Sequence, residues 1–178
     1  MRIISGKFKG RTLHPPAGLP VRPTTDFAKT ALFNILMNRI DFEETSVLDL
    51  FSGTGSISFE FVSRGCPRLL AVDNDSGCLK FIKETSAKLN IKEISTTKAE
   101  VFSFLNQISG KFDLIFADPP YTLETITELP DAIFAAKVLA DDGLLIVEHS
   151  PRVDFSTHPF FTEHRNYGKV NFSFFESK

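Results

Sequence analysis

Residues 47–60 read VLDLFSGTGSISFE, and the hydrophobic period changes inside them. SVLDLF (46–51) is a short apolar run, the pattern of a strand buried on both faces. SISFEFVSR (56–64) spaces its apolar side chains as a helix does. Between them the chain turns on Gly53 and Gly55, which let the backbone approach a ligand with no Cβ in the way. Such a strand, glycine loop and helix form the ligand-binding corner of a doubly wound sheet, at the carboxyl end of a strand. The alternative is a tight turn that binds nothing. The dinucleotide spacing G-x-G-x-x-G is incomplete, since its third glycine would fall at Ser58.

Outward from this corner the pattern repeats. LLAVD (69–73), EISTTK (93–98), FDLIFAD (112–118) and GLLIVEHS (143–150) read as strands. SGCLKFIKETSAKLN (76–90), VFSFLNQI (101–108) and a segment from about 123 to 139 read as helices between them. Upstream, TTD (24–26) is a helix start, followed by Ala28, Ala31, Leu32, Ile35 and Leu36 at helical spacing. Strands alternating with helices predict an α/β fold: a mostly parallel sheet with helices on both faces. The ends depart from this rhythm. Residues 1–13, broken by Gly6 and Gly10, predict a short N-terminal β-hairpin, and HPPAGLPVRP (14–23) an extended connector. TEHRNYG and KVNFSFFES (162–177) predict an antiparallel hairpin turning at Gly168, with Val170, Phe172 and Phe174 alternating with Asn171 and Ser173 as on a half-buried edge.

The chain has 178 residues, which predicts one main domain, and its net charge of −2 argues against a nucleic-acid partner until it is divided. Residues 1–39 hold seven Lys/Arg and one acid, a net +6; the remainder holds 13 basic and 21 acidic residues, a net −8. A basic arm on an acidic body follows. The aliphatic runs are far shorter than the roughly 20 residues of a membrane span, and MRIISGKFKGR has no apolar signal region. Cys66 and Cys78 form no CxxC motif, so reduced thiols in a cytoplasmic protein are expected. The 19 Phe read as core filling. His14, His149, His158 and His164 lack metal-ligand spacing; they are read as structural or solvent-facing, and no metal is predicted.

Asp49, Asp73, Glu100 and Asp118 fall at or just beyond four strand ends and so on one rim. Four acids would repel the phosphates of a dinucleotide, which disfavours a nicotinamide-dependent dehydrogenase; a cationic ligand such as S-adenosylmethionine suits them. Asp49 read alone is also a cap for loop N–H groups, and Asp75 an N-cap for the next helix. DLIFADPPY (113–121) is the most specific stretch. The two prolines fix the backbone and direct their carbonyls, and Tyr121 adds a flat ring with a polar tip. Together they offer acceptors for an amino group and a face on which a base can stack.

With these residues in view, the chain resembles class I S-adenosylmethionine-dependent methyltransferases of the Asp-Pro-Pro-Tyr type, and more closely the bacterial RsmD family, which methylates guanine N2 in 16S ribosomal RNA. The match runs through RIISGKFKGRTL (2–13), RPTTDFAKTALFNIL (22–36), VLDLFSGTGSISFE (47–60), AVDND (71–75), DLIFADPPY (113–121) and the closing hairpin. The resemblance implies a Rossmann-like sheet of seven strands. It divides the chain into an extension at 1–23 and a transferase domain at 24–178. By the same resemblance the target is guanine 966, in a small ribosomal subunit or an assembly intermediate, and the enzyme is a monomer. Asp49, Phe51, Gly53 and Gly55 are implied at the methionine end of the cofactor, Asp73 at the ribose, and Asn74, Glu100 and Val101 at the adenine, with Asp118 also among the cofactor-binding residues. Asp118, Pro119 and Tyr121 are implied to hold the target base, and Arg2, Lys7, Lys9, Arg11, Arg22 and Thr24 to contact RNA. Glu60 is expected to brace the loop. The chain departs from the family at Lys29-Thr30, where an Arg-Glu pair is common, and at Glu100, where a shorter side chain is usual. Two other readings remain: an adenine-N6 methyltransferase, and a non-catalytic RNA-binding assembly factor that keeps the fold.

Overall fold

A computed structural model of the chain describes residues 1–20 and 25–177. Seven strands form one sheet: β1 (Ser46–Leu50), β2 (Arg68–Asp73), β3 (Ile94–Lys98), β4 (Phe112–Ala117), β5 (Leu139–His149), β6 (Phe161–Tyr167) and β7 (Val170–Glu176). Their order is β3-β2-β1-β4-β5-β7-β6. The first five run parallel, and β7 and β6 are antiparallel to their neighbours. The strand order reverses between β1 and β4, which opens a crevice beyond their carboxyl ends. The helices are α1 (Asp26–Leu36), α2 (Ser56–Ser63), α3 (Ser76–Leu89), α4 (Val101–Leu105) and α5 (Leu129–Ala135).

Strand alternation assigns the two faces. Val47, Leu69, Leu114, Phe116, Ile146, Phe172 and Phe174 pack with α1, α2 and α3. Leu48, Leu50, Val72, Ile115, Ala117, Leu145 and Val147 pack with α4 and α5. Central strands covered on both sides need the near-continuous apolar runs seen in the sequence. The helix starts are conventional: Thr25 caps α1 by accepting from Ala28 N at 3.2 Å, and Asp75 caps α3 by accepting from Cys78 N at 2.7 Å. Asn90 ends α3 in the left-handed region, at φ 54°.

Four expectations are corrected in detail. The segment 123–139 is a short 3₁₀ turn, Ile126–Glu128, then α5; the helix stops where Lys137 takes φ 55°, and β5 begins at Leu139 rather than 143. Helix α4 ends at Leu105. Strand β7 is not an edge: it lies between β5 and β6, and its polar positions are buried. Ser173 Oγ meets His149 Nε2 at 2.8 Å and Asn171 Oδ1 meets His164 Nε2 at 2.9 Å, so the buried polar groups are satisfied. Finally, the N-terminal hairpin reduces to one antiparallel bridge, Arg2 to Thr12. There Ile3 bonds both Gly10 N and Arg11 O, a two-against-one bulge that Gly10 permits at φ 81°.

The N-terminal segment is docked on α2. Ile3, Phe8 and Leu13 are buried in the α1–α2 cluster. Glu60 accepts from Ile4 N at 2.8 Å and Ser5 N at 3.0 Å, and Ser63 O accepts from Lys7 N at 2.6 Å. A Cβ on Gly6 would stand 1.7 Å from Ser63 O, so only glycine permits this approach.

Candidate active site

The loop after β1 is held in an uncommon backbone state. Phe51 adopts φ 63°, a left-handed conformation costing a bulky L-residue about 1 kcal/mol or more. Gly53 and Gly55 follow at φ 50° and 79°. The loop is tied to the neighbouring strand: Ser52 N donates to Val72 O at 2.9 Å, and Gly53 N donates to Asp73 Oδ2 at 2.7 Å. Asp73 Oδ1 accepts from Asp75 N at 2.8 Å, so one carboxylate fixes the loops after β1 and β2 together. Gly55 N-caps α2 and supplies no side-chain cap; the Asp49 carboxylate meets the Ser58 backbone N–H in the first turn instead. A Cβ at Gly55 would stand 2.9 Å from Ile82 Cγ1, so this glycine is also demanded by packing.

Asp49 lies directly beneath the loop and is 1% exposed. Its carboxylate accepts from the Ser58 hydroxyl. Burial raises its pKa from 3.8 to about 7; the Ser58 hydrogen bond opposes the rise, and the Asp118 and Asp73 carboxylates add to it. The structure thus brings three of the four predicted acids within electrostatic reach of one another at the ends of β1, β2 and β4. The fourth, Glu100, N-caps α4, accepting from Phe102 N at 3.0 Å and Ser103 N at 2.8 Å. Val101 is buried in the α4 core and Asn74 is exposed.

Asp118 N donates to Leu50 O at 3.3 Å, which sets the Asp-Pro-Pro-Tyr segment against the end of β1. Pro119 is buried, Pro120 exposed, and Leu123 N closes a turn on Pro120 O at 2.8 Å. The Tyr121 ring is 41% exposed, and its hydroxyl donates to Lys169 O at 3.4 Å. Arg2, Lys7, Lys9 and Arg11 are exposed on the docked N-terminal segment. Arg22 and Thr24 lie outside the described residues.

The partners of Glu60 and Lys29, and the position of Glu148, carry no signal in the sequence. Glu60 braces the N-terminal segment rather than the glycine loop, and it is the centre of a buried ion cluster. Arg64 reaches it at 2.9 Å and Lys29 at 3.8 Å. Lys29, 1% exposed, also donates to Arg2 O at 2.5 Å and Ser56 Oγ at 3.3 Å. The departure at position 29 therefore keeps a cation that joins the arm to the start of α2. Glu148, 4% exposed, follows Ile146 on the same face of β5 and one register step past the Ala117–Val147 pair. No motif marked it.

The residues present fit a cationic ligand such as S-adenosylmethionine. Three crowded carboxylates call for a positive charge, and Ser52 Oγ in the loop is buried without a hydrogen-bond partner. A concavity of about 460 Å³ lies at the opposite end of the strands, lined by Arg39, Asp41, Glu44, Asp113 and Asp142. It holds none of the residues above and sits at the amino ends, where parallel sheets do not bind ligands.

The chain and its fold have counterparts among known proteins. A family model described as Conserved hypothetical protein 95 matches residues 1–176. Bacillus subtilis putative rRNA methyltransferase YlbH is 34% identical over 164 residues, spanning 86% of this chain and 85% of that protein. Ribosomal RNA small subunit methyltransferase D of Escherichia coli K12 is 29% identical over 159 residues, spanning 89% and 79%. Among solved structures, a putative methyltransferase yhhF from Escherichia coli superposes with a TM-score of 0.88 at 27% identity, covering 100% of this chain and 98% of the other.

Proposed function

The chain belongs to the Conserved hypothetical protein 95 family, the RsmD family of the sequence reading, and we propose that it methylates small-subunit ribosomal RNA. The finer reading is transfer of a methyl group from S-adenosylmethionine to the N2 amino group of a guanine, by family resemblance guanine 966. The observation that carries it is the rim where Asp49, Asp73 and Asp118 crowd around the glycine loop beside Pro119 and Tyr121. Relatives named as ribosomal RNA methyltransferases support RNA as the substrate.

In this reading Asp49, Phe51, Gly53 and Gly55 would receive the methionine end of the cofactor. Asp73 receives the ribose hydroxyls, and Asn74, Glu100 and Val101 border the adenine. The cofactor supplies an electrophilic methyl on a sulfonium. The exocyclic nitrogen of guanine is a poor nucleophile because its lone pair is delocalised into the ring. Asp118 and the Pro119 carbonyl accept its N–H groups and favour the pyramidal geometry that frees the lone pair. The guanine nitrogen would displace the thioether as the methyl–sulfur bond breaks and would pass its surplus proton to Asp118 or water; positioning and charge stabilisation would carry the rate, with no strong base required. Tyr121 holds the unstacked base by a contact worth about 1–3 kcal/mol. Residues 1–23 form the RNA-contacting extension and 24–178 the transferase domain. Arg2, Lys7, Lys9, Arg11, Arg22 and Thr24 contact phosphates, which position the RNA without reading its sequence.

The test is transfer of labelled methyl to small-subunit particles from cells lacking this activity, followed by nucleoside mass spectrometry and mapping. N2-methylguanosine at one site is expected. N6-methyladenosine would select the adenine reading, and cofactor binding without transfer to any particle or RNA would refute the proposal.

A further inference from the structure

A single exposed aromatic ring is ordinary on a protein surface. Here three large apolar side chains are strongly exposed among the described residues, Phe27 at 68%, Met37 at 61% and Tyr121 at 41%. Two of them, Phe27 and Tyr121, touch the same hairpin. The Phe27 ring, in the first turn of α1, meets Tyr167 edge-on with centroids 6.1 Å apart. Tyr167 ends β6, and the next two residues are the turn, Gly168 and Lys169. The Tyr121 hydroxyl donates to Lys169 O.

Register places this turn on the active-site rim. His149, the last residue of β5, pairs with Asn171 at the start of β7, and Tyr167 pairs with Val170. The turn therefore projects past the carboxyl end of β5, on the side of the sheet where Tyr121 reaches it. Its other flank leads to the basic segment: Asp26, next to Phe27, pairs with Arg2 at 3.4 Å. In order of contact, the path runs Arg2, Asp26, Phe27, Tyr167, Lys169, Tyr121, from arm to candidate target site. Its one acid is paired with Arg2, and Lys169 is exposed. Residues far apart in the chain build it, so no local folding requirement accounts for an exposed phenylalanine there.

We propose that Phe27, Tyr167 and Lys169 form a second nucleotide-binding surface for the RNA strand flanking the target. An unpaired base next to the flipped guanine stacks on the exposed part of the Phe27 ring, with Tyr167 packed against that ring at an interplanar angle of 77° and Lys169 meeting a phosphate. Sequence-tolerant stacking on aromatic side chains beside a basic track is how proteins hold single-stranded nucleic acid. The inference rests on the RNA methyltransferase reading and deepens it.

The test measures binding of unmethylated small-subunit particles, methyl-transfer kinetics and S-adenosylmethionine binding for wild type, Phe27→Ala, Phe27→Tyr and Lys169→Ala. Phe27→Ala is expected to weaken particle binding and raise the particle KM by about 5- to 150-fold, with cofactor affinity unchanged. Phe27→Tyr restores binding to within about threefold, because the ring face is kept. Lys169→Ala lowers the slope of log affinity against log salt by about one. Wild-type particle affinity in Phe27→Ala overturns the proposal. So does a loss explained by a lower melting temperature that Phe27→Tyr fails to restore. A wild-type dimer that Phe27→Ala dissociates overturns it too, assigning the ring to a second copy of the chain. Absence of methyl transfer by the wild type would instead remove the underlying reading, so the two failures are distinguishable.

Discussion

Replacing Asp49 by asparagine separates the stability of the fold from the needs of the site. Asp49 is 1% exposed and its pKa rises from 3.8 to about 7, chiefly through burial and then through Asp118 and Asp73. Between these values the folded protein holds a proton that the unfolded chain releases. Stability therefore falls as pH rises through that window and levels off above about 7. The full gap is worth on the order of 4 kcal/mol, of which roughly 2–3 kcal/mol develops between about pH 5 and pH 8. The substituted amide would keep an acceptor for Ser58 Oγ and carry no charge. Asp49→Asn is thus expected to be more stable than wild type at pH 8, with an advantage roughly 2–3 kcal/mol larger than at pH 5. Urea unfolding followed by far-UV circular dichroism measures this in a chain that lacks Trp. Using the difference between variant and wild type cancels the titration of the groups not coupled to Asp49. The same variant is expected to bind S-adenosylmethionine more weakly, and wild type to release a proton on binding it near pH 6.5, seen as buffer-dependent calorimetric heat. An advantage equal at pH 5 and pH 8, or a variant less stable than wild type at pH 8, would refute the reasoning.

Asp118→Ala should cut methyl transfer by on the order of 10²-fold or more while the protein still unfolds cooperatively; near-wild-type turnover on the correct substrate would show the assignment wrong. Glu60→Gln leaves Lys29 and Arg64 buried around an uncharged partner, and should destabilise by about 3–5 kcal/mol while raising amide exchange at residues 2–8; protection unchanged there would mean that the arm docks without this cluster. His149 is buried and its pKa lies below 6.5, so the fold loses stability as pH falls below that value, by at most about 1.4 kcal/mol per pH unit, and levels off below the lowered pKa. His149→Gln should flatten that limb in urea titrations; an identical slope would place the effect on another group.

The order of strands and helices was legible because each core element carries its own periodicity. Val47, Leu48 and Leu50 form an apolar run that fits only a strand covered on both faces, and Asp75 to Asn90 carries both a start and a stop signal. The glycine loop and the Asp-Pro-Pro-Tyr segment were equally legible, since backbone conformation is written there in glycine and proline. The interior place of β7 was not. Its alternation matches a half-buried edge until His149 and His164, from other strands, satisfy Ser173 and Asn171. Glu60 likewise gave no local sign that its partners are Ile4, Ser5, Lys29 and Arg64.

The sequence by itself determined the sheet, its acidic rim and the charge division between a basic start and an acidic body. Tertiary structure alone decided that the basic segment is fastened to α2 and that burial raises the Asp49 pKa to about 7. It also joined Phe27 and Tyr121 to one hairpin, through Tyr167 and Lys169. The division has one cause. Periodicity and turn chemistry act over a few neighbouring residues, whereas burial, charge coupling and ring contacts depend on groups that only folding brings together.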